Sequence, residues 1–324
     1  MISPEEYAAF LEREYLRDYI PQGGAAVRFM VSSEGDGIEE VFRRVRLAAQ
    51  AAHFDVAAVD SHSVKVHMIQ EVFHATARQI DWDGLARTVS RDVLEGLGFR
   101  VPAAPALFDM ETLARDNHYQ PNVLNVDFSR ELQGRIIKDF AMAQEFRHAM
   151  FALCRSTIDS SAATQTTREA VLEWLRGDLH RITAVKDALI YQRIGRHNAR
   201  HMLFSLAHWL KTVGRTGLVL TIDLAQLGVS KRDQTGNRLY YTKAAVLDAY
   251  EVLRQLIDGT DELRSCLVLV GCAPEFLKDP ARGYEAYHAL QLRIQDEVRD
   301  RNRANPFAAL VHLASALPRI ESAA

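Results

Sequence analysis

The residues with the clearest chemical potential lie in a turn-rich stretch, SSEGDG, at positions 32–37. A short apolar run precedes this stretch and an amphipathic helical pattern follows it, which is the setting of a phosphate-binding loop. In the motif G-x-x-x-x-G-K-[ST], backbone N–H groups surround the phosphates, the lysine meets the β- and γ-phosphates, and the hydroxyl holds Mg²⁺. The motif places Ser32 and Gly37 at its two glycines, Ile38 at its lysine and Glu39 at its hydroxyl.

This loop keeps residues that permit a tight turn but lacks the groups that bind phosphate. Gly37 allows the turn, whereas Ile38 carries no charge and Glu39 adds a carboxylate beside the expected phosphates. A charge-assisted contact contributes about 1.5–3 kcal/mol, so the exchange is expected to weaken ATP binding strongly. A degenerate phosphate loop and an acidic surface turn both fit the pattern. The candidate loop residues are Ser32, Ser33, Glu34, Gly35, Asp36, Gly37, Ile38 and Glu39.

The second half of a nucleotide site is an acidic pair at the end of a buried strand. The first carboxylate of that pair holds Mg²⁺ and the second orients the attacking water. The run GLVLTIDLAQL supplies Asp223 at the first position and Leu224 at the second. Asp223 is therefore the residual magnesium position, or it caps the strand end. Since Leu224 replaces the catalytic glutamate, we expect no catalytic residue and poor hydrolysis of any bound nucleotide.

A basic pattern and a histidine pair stand apart from this loop. Arg193, Arg196, His197 and Arg200 follow the i, i+3, i+4, i+7 spacing of one helix face and form a candidate nucleic-acid patch, or a solvated face. His197 and His201 have the spacing of a zinc-protease motif. Asn198 occupies the general-base position and no third ligand is evident, so we expect no metal site.

The elements that would position these residues alternate between strand and helix. Two nearly continuous apolar runs, at 217–222 and 266–271, are typical of central parallel strands buried on both faces. Two further predicted strands, at 27–31 and 54–59, flank a helix at 38–49. This alternation predicts an α/β fold with a parallel sheet flanked by helices. Further helices are predicted at 3–20, 64–80, 83–97, 129–155, 167–177, 187–212, 242–258, 283–303 and 305–316.

The domain organisation follows from where the strand pattern stops and returns. We expect an N-terminal helix at 1–20, a single domain at 21–318 and a short tail at 319–324. Because residues of about 81–212 show mostly helical periodicity, they are expected to form a large helical insertion in that domain. No stretch is rich enough in Gly, Ser or Pro to predict a flexible linker.

Composition excludes several classes of protein. The chain has 324 residues, of which 48% are hydrophobic, and a formal net charge of −3, so it is neither disordered nor globally basic. Its three cysteines lie in or near apolar runs and are expected to be reduced and buried. No run approaches the length of a membrane span, and the N-terminus lacks the pattern of a signal peptide. We therefore expect a cytoplasmic protein without membrane contact.

Four segments carry a resemblance to a known family through their residues, order and spacing. They are AAVRFMVSSEGDGIEEVFRRV, EWLRGDLHRI, FSLAHWLKTVGRTGLVLTIDLAQL and YEVLRQLIDGTDELRSCLVLVGCAPEFLKDPARGYEAYHALQLRI. Across residues 21–295 they resemble the ATP-binding P-loop proteins of bacteriophage-exclusion (BREX) defence systems, a branch of the AAA-like ATPases. Active members resemble strand–GxxGSGKTH–helix at the loop and carry Asp-Glu after the third strand. This chain departs from them at Ser32, Ile38, Glu39 and Leu224.

The resemblance implies a P-loop NTPase fold, a role in a defence system, and action of two arginines on the nucleotide of a neighbouring subunit. Arg282 and Arg293 follow the fourth strand, where AAA-like proteins often supply arginines to a neighbouring subunit's nucleotide. They are candidate trans-acting or phosphate-binding residues, or surface arginines paired with nearby carboxylates. Cys272 stands at the family's position for a small polar sensor.

Three functions fit these residues. The first is a non-hydrolysing subunit or scaffold beside an active P-loop ATPase or a DNA-acting partner, with no resident cofactor. The second is a true ATPase that binds ATP and Mg²⁺, with Glu39 as a metal ligand and Arg28 or Arg43 replacing the lysine. The third is a DNA-binding module that uses the basic helix face at 193–200.

Overall fold

The apolar runs of the sequence form a parallel sheet in a computed structural model, which describes residues 1–32, 36–102, 109–231, 238–295 and 305–314. The chain divides into two units. The sheet unit comprises Met1–Thr76 and Arg215–Ala324, and the helical unit comprises Ala77–Gly214.

The sheet of the described residues has five strands in the order β2-β3-β4-β1-β5, and every neighbouring pair is parallel. The strands β3 and β4 are buried along almost their whole length, as their continuous apolar sequences predict. The predicted α/β fold with helices flanking a parallel sheet is confirmed. The strands are β1 Ala25–Ser32, β2 Asp55–Asp60, β3 Leu218–Asp223, β4 Cys266–Cys272 and β5 Leu310–Leu313.

The fifth strand corrects the prediction of a helix at 305–316. Residues Leu310–Leu313 pair with β1, and Ile2 extends the sheet edge through a bridge to Leu313. Val311 and Leu313 are buried while His312 between them is exposed, which is the two-residue alternation of a strand. A four-residue strand is too short for its alternation to stand out from a helical pattern.

Both units contain helices. The two longest described helices of the sheet unit, α2 and α10, match the predictions at 38–49 and 242–258. Ser3 forms a capping box with Glu6 at the start of α1. The described α-helices are α1 Pro4–Leu11, α2 Asp36–Ala51, α3 Ile69–Ala77, α4 Trp82–Gly96, α5 Met110–Asp116, α6 Pro121–Leu132, α7 Gln144–Arg155, α8 Ala162–Arg176, α9 Ala199–Thr212, α10 Lys243–Asp258, α11 Glu275–Lys278 and α12 His288–Ile294. Shorter π- or 3₁₀-helical segments are Glu12–Tyr19, Gln133–Ile137, Ile182–Ala188, Ala225–Gly228 and Tyr284–Ala286.

Several predicted helices are too long. The helix predicted at 187–212 begins only at Ala199, and the one predicted at 129–155 is interrupted between Ile137 and Gln144. At 283–303 the structure has α12 and a preceding 3₁₀ turn, and residues 296–304 lie outside the described residues. Turns at 138–143 and 189–198 contain apolar residues that fit a helical period, which explains the error.

One face of the sheet is covered by α1, the following π-helix and α2. Phe42 and Val45 of α2, Leu11 of α1 and Leu267 and Leu269 of β4 belong to one buried cluster. The N-terminal helical segment is thus part of the core of the sheet unit. Cys154, Cys266 and Cys272 are buried and free, which confirms the prediction for the cysteines. Among the described helices, none is long and apolar enough to cross a bilayer.

Candidate functional site

The junction of β1 and α2 and the end of β3 lie at the same edge of the sheet. Val31 pairs with Cys272, and Asp223 pairs with Gly271, so β4 separates the two positions. Two strand spacings amount to about 10 Å, a span comparable with a bound phosphate chain. The described part of the candidate loop consists of Ser32 and residues 36–39, while Ser33, Glu34 and Gly35 lie outside the described residues.

Ile38, at the position of the P-loop lysine, is part of the hydrophobic core. It is 8% exposed and packs over β4 at Gly271. A Cβ atom on Gly271 would lie 2.5 Å from Ile38 Cγ2 and 3.0 Å from Phe42 Cζ, so the glycine permits α2 to approach β4 closely. The side chain at this position is therefore used for helix–sheet packing.

The first turn of α2 is acidic and lies against other parts of the chain. A Cβ atom on Gly37 would lie 3.0 Å from Ser32 Oγ, 3.4 Å from Pro4 Cγ and 3.6 Å from the carbonyl oxygen of Ala314. Asp36 and Glu39 are exposed in the same turn. Carboxylates there stabilise the positive end of the helix dipole, which a P-loop offers to phosphate.

The carboxylates at the ends of β2 and β3 bind the turns that follow their strands. Asp223 Oδ1 accepts a hydrogen bond from the Ala225 N–H at 2.8 Å. Asp60 Oδ1 accepts one from the His62 N–H at 2.8 Å and lies 2.7 Å from His62 Nδ1. Burial raises the pKa of Asp223, and the neighbouring carboxylate of Asp60 raises it further. This geometry supports the interpretation of Asp223 as a strand-end cap.

Asp223→Asn is expected to leave the chain at least as stable as the parent at neutral pH. Burial raises the pKa of Asp223 in the folded state above its unfolded value of about 3.9. Stability is therefore lost as the pH rises from the unfolded-state pKa through the folded-state pKa, because the buried carboxyl group ionises. Asparagine removes that cost and keeps an oxygen for the Ala225 N–H. Urea unfolding at several pH values should show a gain at pH 7 that disappears below about pH 4. Lower stability of the asparagine variant at pH 7 would contradict this account.

Leu224, at the position of the catalytic glutamate, is 3% exposed. With Tyr250, Cys272 and Phe276 it lines a cavity of about 10 Å³, which is at most the room that one water needs. The position that orients the attacking water in an active enzyme is therefore filled by apolar packing.

Both candidate arginines after β4 bind groups of their own sheet unit. Arg282 Nη1 donates to the carbonyl oxygens of Leu227 at 3.2 Å and Val229 at 3.1 Å, and Nη2 donates to Tyr240 Oη at 3.1 Å. Arg293 forms an ion pair with Asp258, with Nη2 at 2.8 Å from Oδ2. The interpretation of Arg293 as an arginine paired with a carboxylate is the one this geometry supports.

The prediction that residues 193–200 form one basic helix face is wrong, because α9 begins only at Ala199. Arg193, Arg196 and His197 precede α9 in a segment without regular structure, and Arg200 lies in the first turn of that helix. His197 and His201 therefore do not share a helix face. In the described ranges, no group of three or more His, Cys, Asp or Glu residues is placed to hold a metal ion.

Arg28 and Arg43, the two arginines that would replace the P-loop lysine in an unconventional ATPase, bind other side chains. Arg28 Nε donates to Tyr15 Oη at 2.8 Å, and the guanidinium lies 5.1 Å from the centre of that ring. Arg43 forms two hydrogen bonds of 2.8 Å with Glu40, which hold the pKa of that carboxyl at about 2. With Ile38 in the core, the described loop residues do not fit a magnesium–nucleotide complex.

A hydrogen-bond network between the loops after β2 and β3 was not predictable from the sequence. The Gln226 N–H donates to Ser61 Oγ at 3.1 Å, and Gln226 Nε2 donates to the carbonyl oxygen of Leu239 at 2.7 Å. Tyr241 Oη lies 3.0 Å from the Ser61 carbonyl and 2.5 Å from that of Val64. Burial raises the pKa of Tyr241 to about 12, so its hydroxyl stays protonated and donates. These contacts fix the edge of the sheet that carries Asp60 and Asp223.

Comparison with known proteins identifies one family. A family model described as BREX system ATP-binding protein BrxC/D matches residues 8–318. No curated protein matches the chain, and no solved structure does.

Proposed function

The chain belongs to the BREX system ATP-binding protein family BrxC/D, and we propose that it acts in phage defence as a subunit that does not hydrolyse ATP. Its partner would be an active P-loop ATPase or a DNA-acting component of the same system. The observation that carries this proposal is the burial of Ile38 against Gly271, where a P-loop requires an exposed lysine. The predicted cytoplasmic location stays a prediction.

Three replacements act in the same direction. Ile38 removes the phosphate-binding cation, Glu39 replaces the hydroxyl with an exposed carboxylate, and buried Leu224 removes the group that orients water. The parallel sheet and its packed helix α2 are nevertheless intact. Random decay would also damage strands and packing faces, so the pattern favours a retained structural role.

ATP turnover and nucleotide binding test the proposal directly. We expect the purified chain to show no turnover above buffer and no saturable heat with ATP and Mg²⁺ in isothermal titration. Asp223→Ala should change neither result. Turnover that Asp223→Ala abolishes would overturn the proposal. Micromolar ATP binding that is lost in Gly37→Val would favour the true ATPase with Glu39 as a metal ligand.

A second experiment addresses the partner. An active ATPase of the same system is assayed alone and with increasing amounts of this chain. We expect a saturable change in its turnover at a fixed stoichiometry, because a scaffold or silent subunit acts through complex formation. An unchanged rate together with separate elution in size-exclusion chromatography would contradict a role beside that ATPase.

A further inference from the structure

The helical unit concentrates positive charge in one segment, residues 180–201. The segment contains one carboxylate, Asp187, while the whole chain has a net charge of −3. All of its cations are exposed, and so are its three histidines. The cations are Arg181, Lys186, Arg193, Arg196 and Arg200. Of two carboxylates in adjoining elements, Asp178 forms an ion pair with Arg78 at 3.0 Å, and Glu145 accepts a hydrogen bond from the neutral amide of Gln192.

An exposed aromatic ring stands within this charge. Tyr191 is 64% exposed, whereas Ile190 and Ile194 on either side of it are buried. Leu189, two residues before Tyr191, is 50% exposed. Its φ of 57° is left-handed and turns the chain just before the tyrosine. A leucine rarely adopts such a conformation, and residues of this kind occur often at binding sites.

The loop that carries Tyr191 is fixed through its backbone. Trp174 Nε1 donates to the carbonyl oxygen of Gln192 at 2.9 Å. Asn198 Nδ2 donates to the Arg193 carbonyl at 3.2 Å, and its Oδ1 accepts from the Gly195 N–H at 2.8 Å. Arg193 Nη2 donates to the carbonyl oxygen of His180, which ties this side chain to the start of the basic segment. The ring and the cations are thus presented on a preformed loop.

We propose that residues 189–200 form a binding surface for single-stranded nucleic acid. Tyr191 stacks on a base, and Arg193, Arg196 and Arg200 contact the backbone phosphates. A ring that stacks on a nucleic acid takes an unstacked base as its partner, which a single strand offers and an intact duplex does not. Exposed guanidinium groups supply the charge that tracks the phosphates.

Fluorescence anisotropy with the full chain and labelled oligo(dT), oligo(U) or a mixed-sequence duplex tests this surface. We expect both single strands to bind more tightly than the duplex, with affinity falling steeply as salt rises. Tyr191→Ala should weaken single-strand binding about tenfold, since one base stack contributes about 1–3 kcal/mol. Tyr191→Phe should retain it, because the phenyl ring also stacks.

Charge reversal provides the second arm. The double variant Arg196→Glu and Arg200→Glu should lose binding at moderate salt, and a glutamate in the first turn of α9 is compatible with folding. Arg115→Glu, at an exposed arginine of α5 in the same unit, is the matched control and should bind like the parent. No binding at low salt, a preference for the duplex, or unchanged binding by Tyr191→Ala would overturn the proposal. Competition by polyglutamate as effective as that by oligo(dT) would indicate an acidic protein partner and also overturn it. ATP plays no part in this assay, so its failure would leave the proposed lack of hydrolysis untouched.

Discussion

Ile38→Lys is expected to lower the free energy of unfolding by about 3–5 kcal/mol, the range for an uncompensated buried charge, and to create no ATP turnover. Ile38 packs between α2 and β4, and its Cγ2 atom reaches the space that a side chain on Gly271 would fill. A lysine there either buries an ammonium group without a partner or leaves the core, and both outcomes cost stability. The substitution would restore the lysine of the motif, though neither its first glycine nor its hydroxyl, while it destabilises the fold.

The neighbouring residue supplies the control. Glu39→Lys introduces the same side chain one position later, at an exposed site in the first turn of α2, and should lower stability by only about 1 kcal/mol through its unfavourable interaction with the helix dipole. All three tryptophans, Trp82, Trp174 and Trp209, belong to the helical unit. Tryptophan fluorescence therefore reports unfolding of the helical unit, whereas Ile38 belongs to the sheet unit. Hydrogen exchange of the β1 and β4 amides in increasing urea measures the stability of the sheet unit.

The opposite result would be informative. If Ile38→Lys kept the parent stability and bound ATP, position 38 would face a phosphate site and the proposed function would fail. Ile38→Val separates packing from charge, because it should cost only about 0.5–1.5 kcal/mol.

The sequence predicts the central strands well because their signal is local. The runs at 217–222 and 266–271 are nearly continuous in apolar residues, and burial on both faces requires that pattern. The amphipathic pattern at 38–49 likewise predicts α2. The strand Leu310–Leu313 is missed because it is short and its partner, β1, is distant in the chain.

The site was predictable only as a set of positions. The motif shows that Ile38 stands where a lysine belongs, but the direction of its side chain depends on Gly271, in another strand. The same holds for Arg282, whose acceptors Leu227 and Val229 lie in the loop after β3. The helical spacing of Arg193 and Arg200 is real in the sequence, yet buried Ile194 and the Asn198 contacts hold that segment in a loop.

Arg282→Ala is expected to destabilise the sheet unit by about 1.5–3 kcal/mol, the range for hydrogen bonds to a charged group. The guanidinium donates to the Leu227 and Val229 carbonyls and to Tyr240 Oη, and it lies 5.6 Å from the centre of the Tyr240 ring. The alanine variant removes the hydrogen bonds to these two carbonyls, so the segment that follows Asp223 is held less firmly. Faster hydrogen exchange at residues 225–229 should accompany the loss.

Arg293→Ala is the matched variant, since both arginines follow β4 and both are candidates for action on a neighbouring subunit. Arg293 binds Asp258 at a partly exposed site, and Arg254 also contacts that carboxylate. An exposed ion pair contributes about 0–1 kcal/mol, and Asp258 keeps a partner, so the expected change is small. Arg282→Lys should fall between the two, because a lysine keeps the charge and loses the planar fork that reaches several acceptors.

The pair of arginines thus separates a role within the chain from a role between subunits. If Arg282 acts on its own loop, its alanine variant loses stability in the isolated protein, with or without a partner. If it acts on a neighbour's nucleotide, that variant keeps the parent unfolding curve and hydrogen exchange while lowering the partner ATPase's turnover. The hydrogen bonds to Leu227 and Val229 lead us to expect the first result.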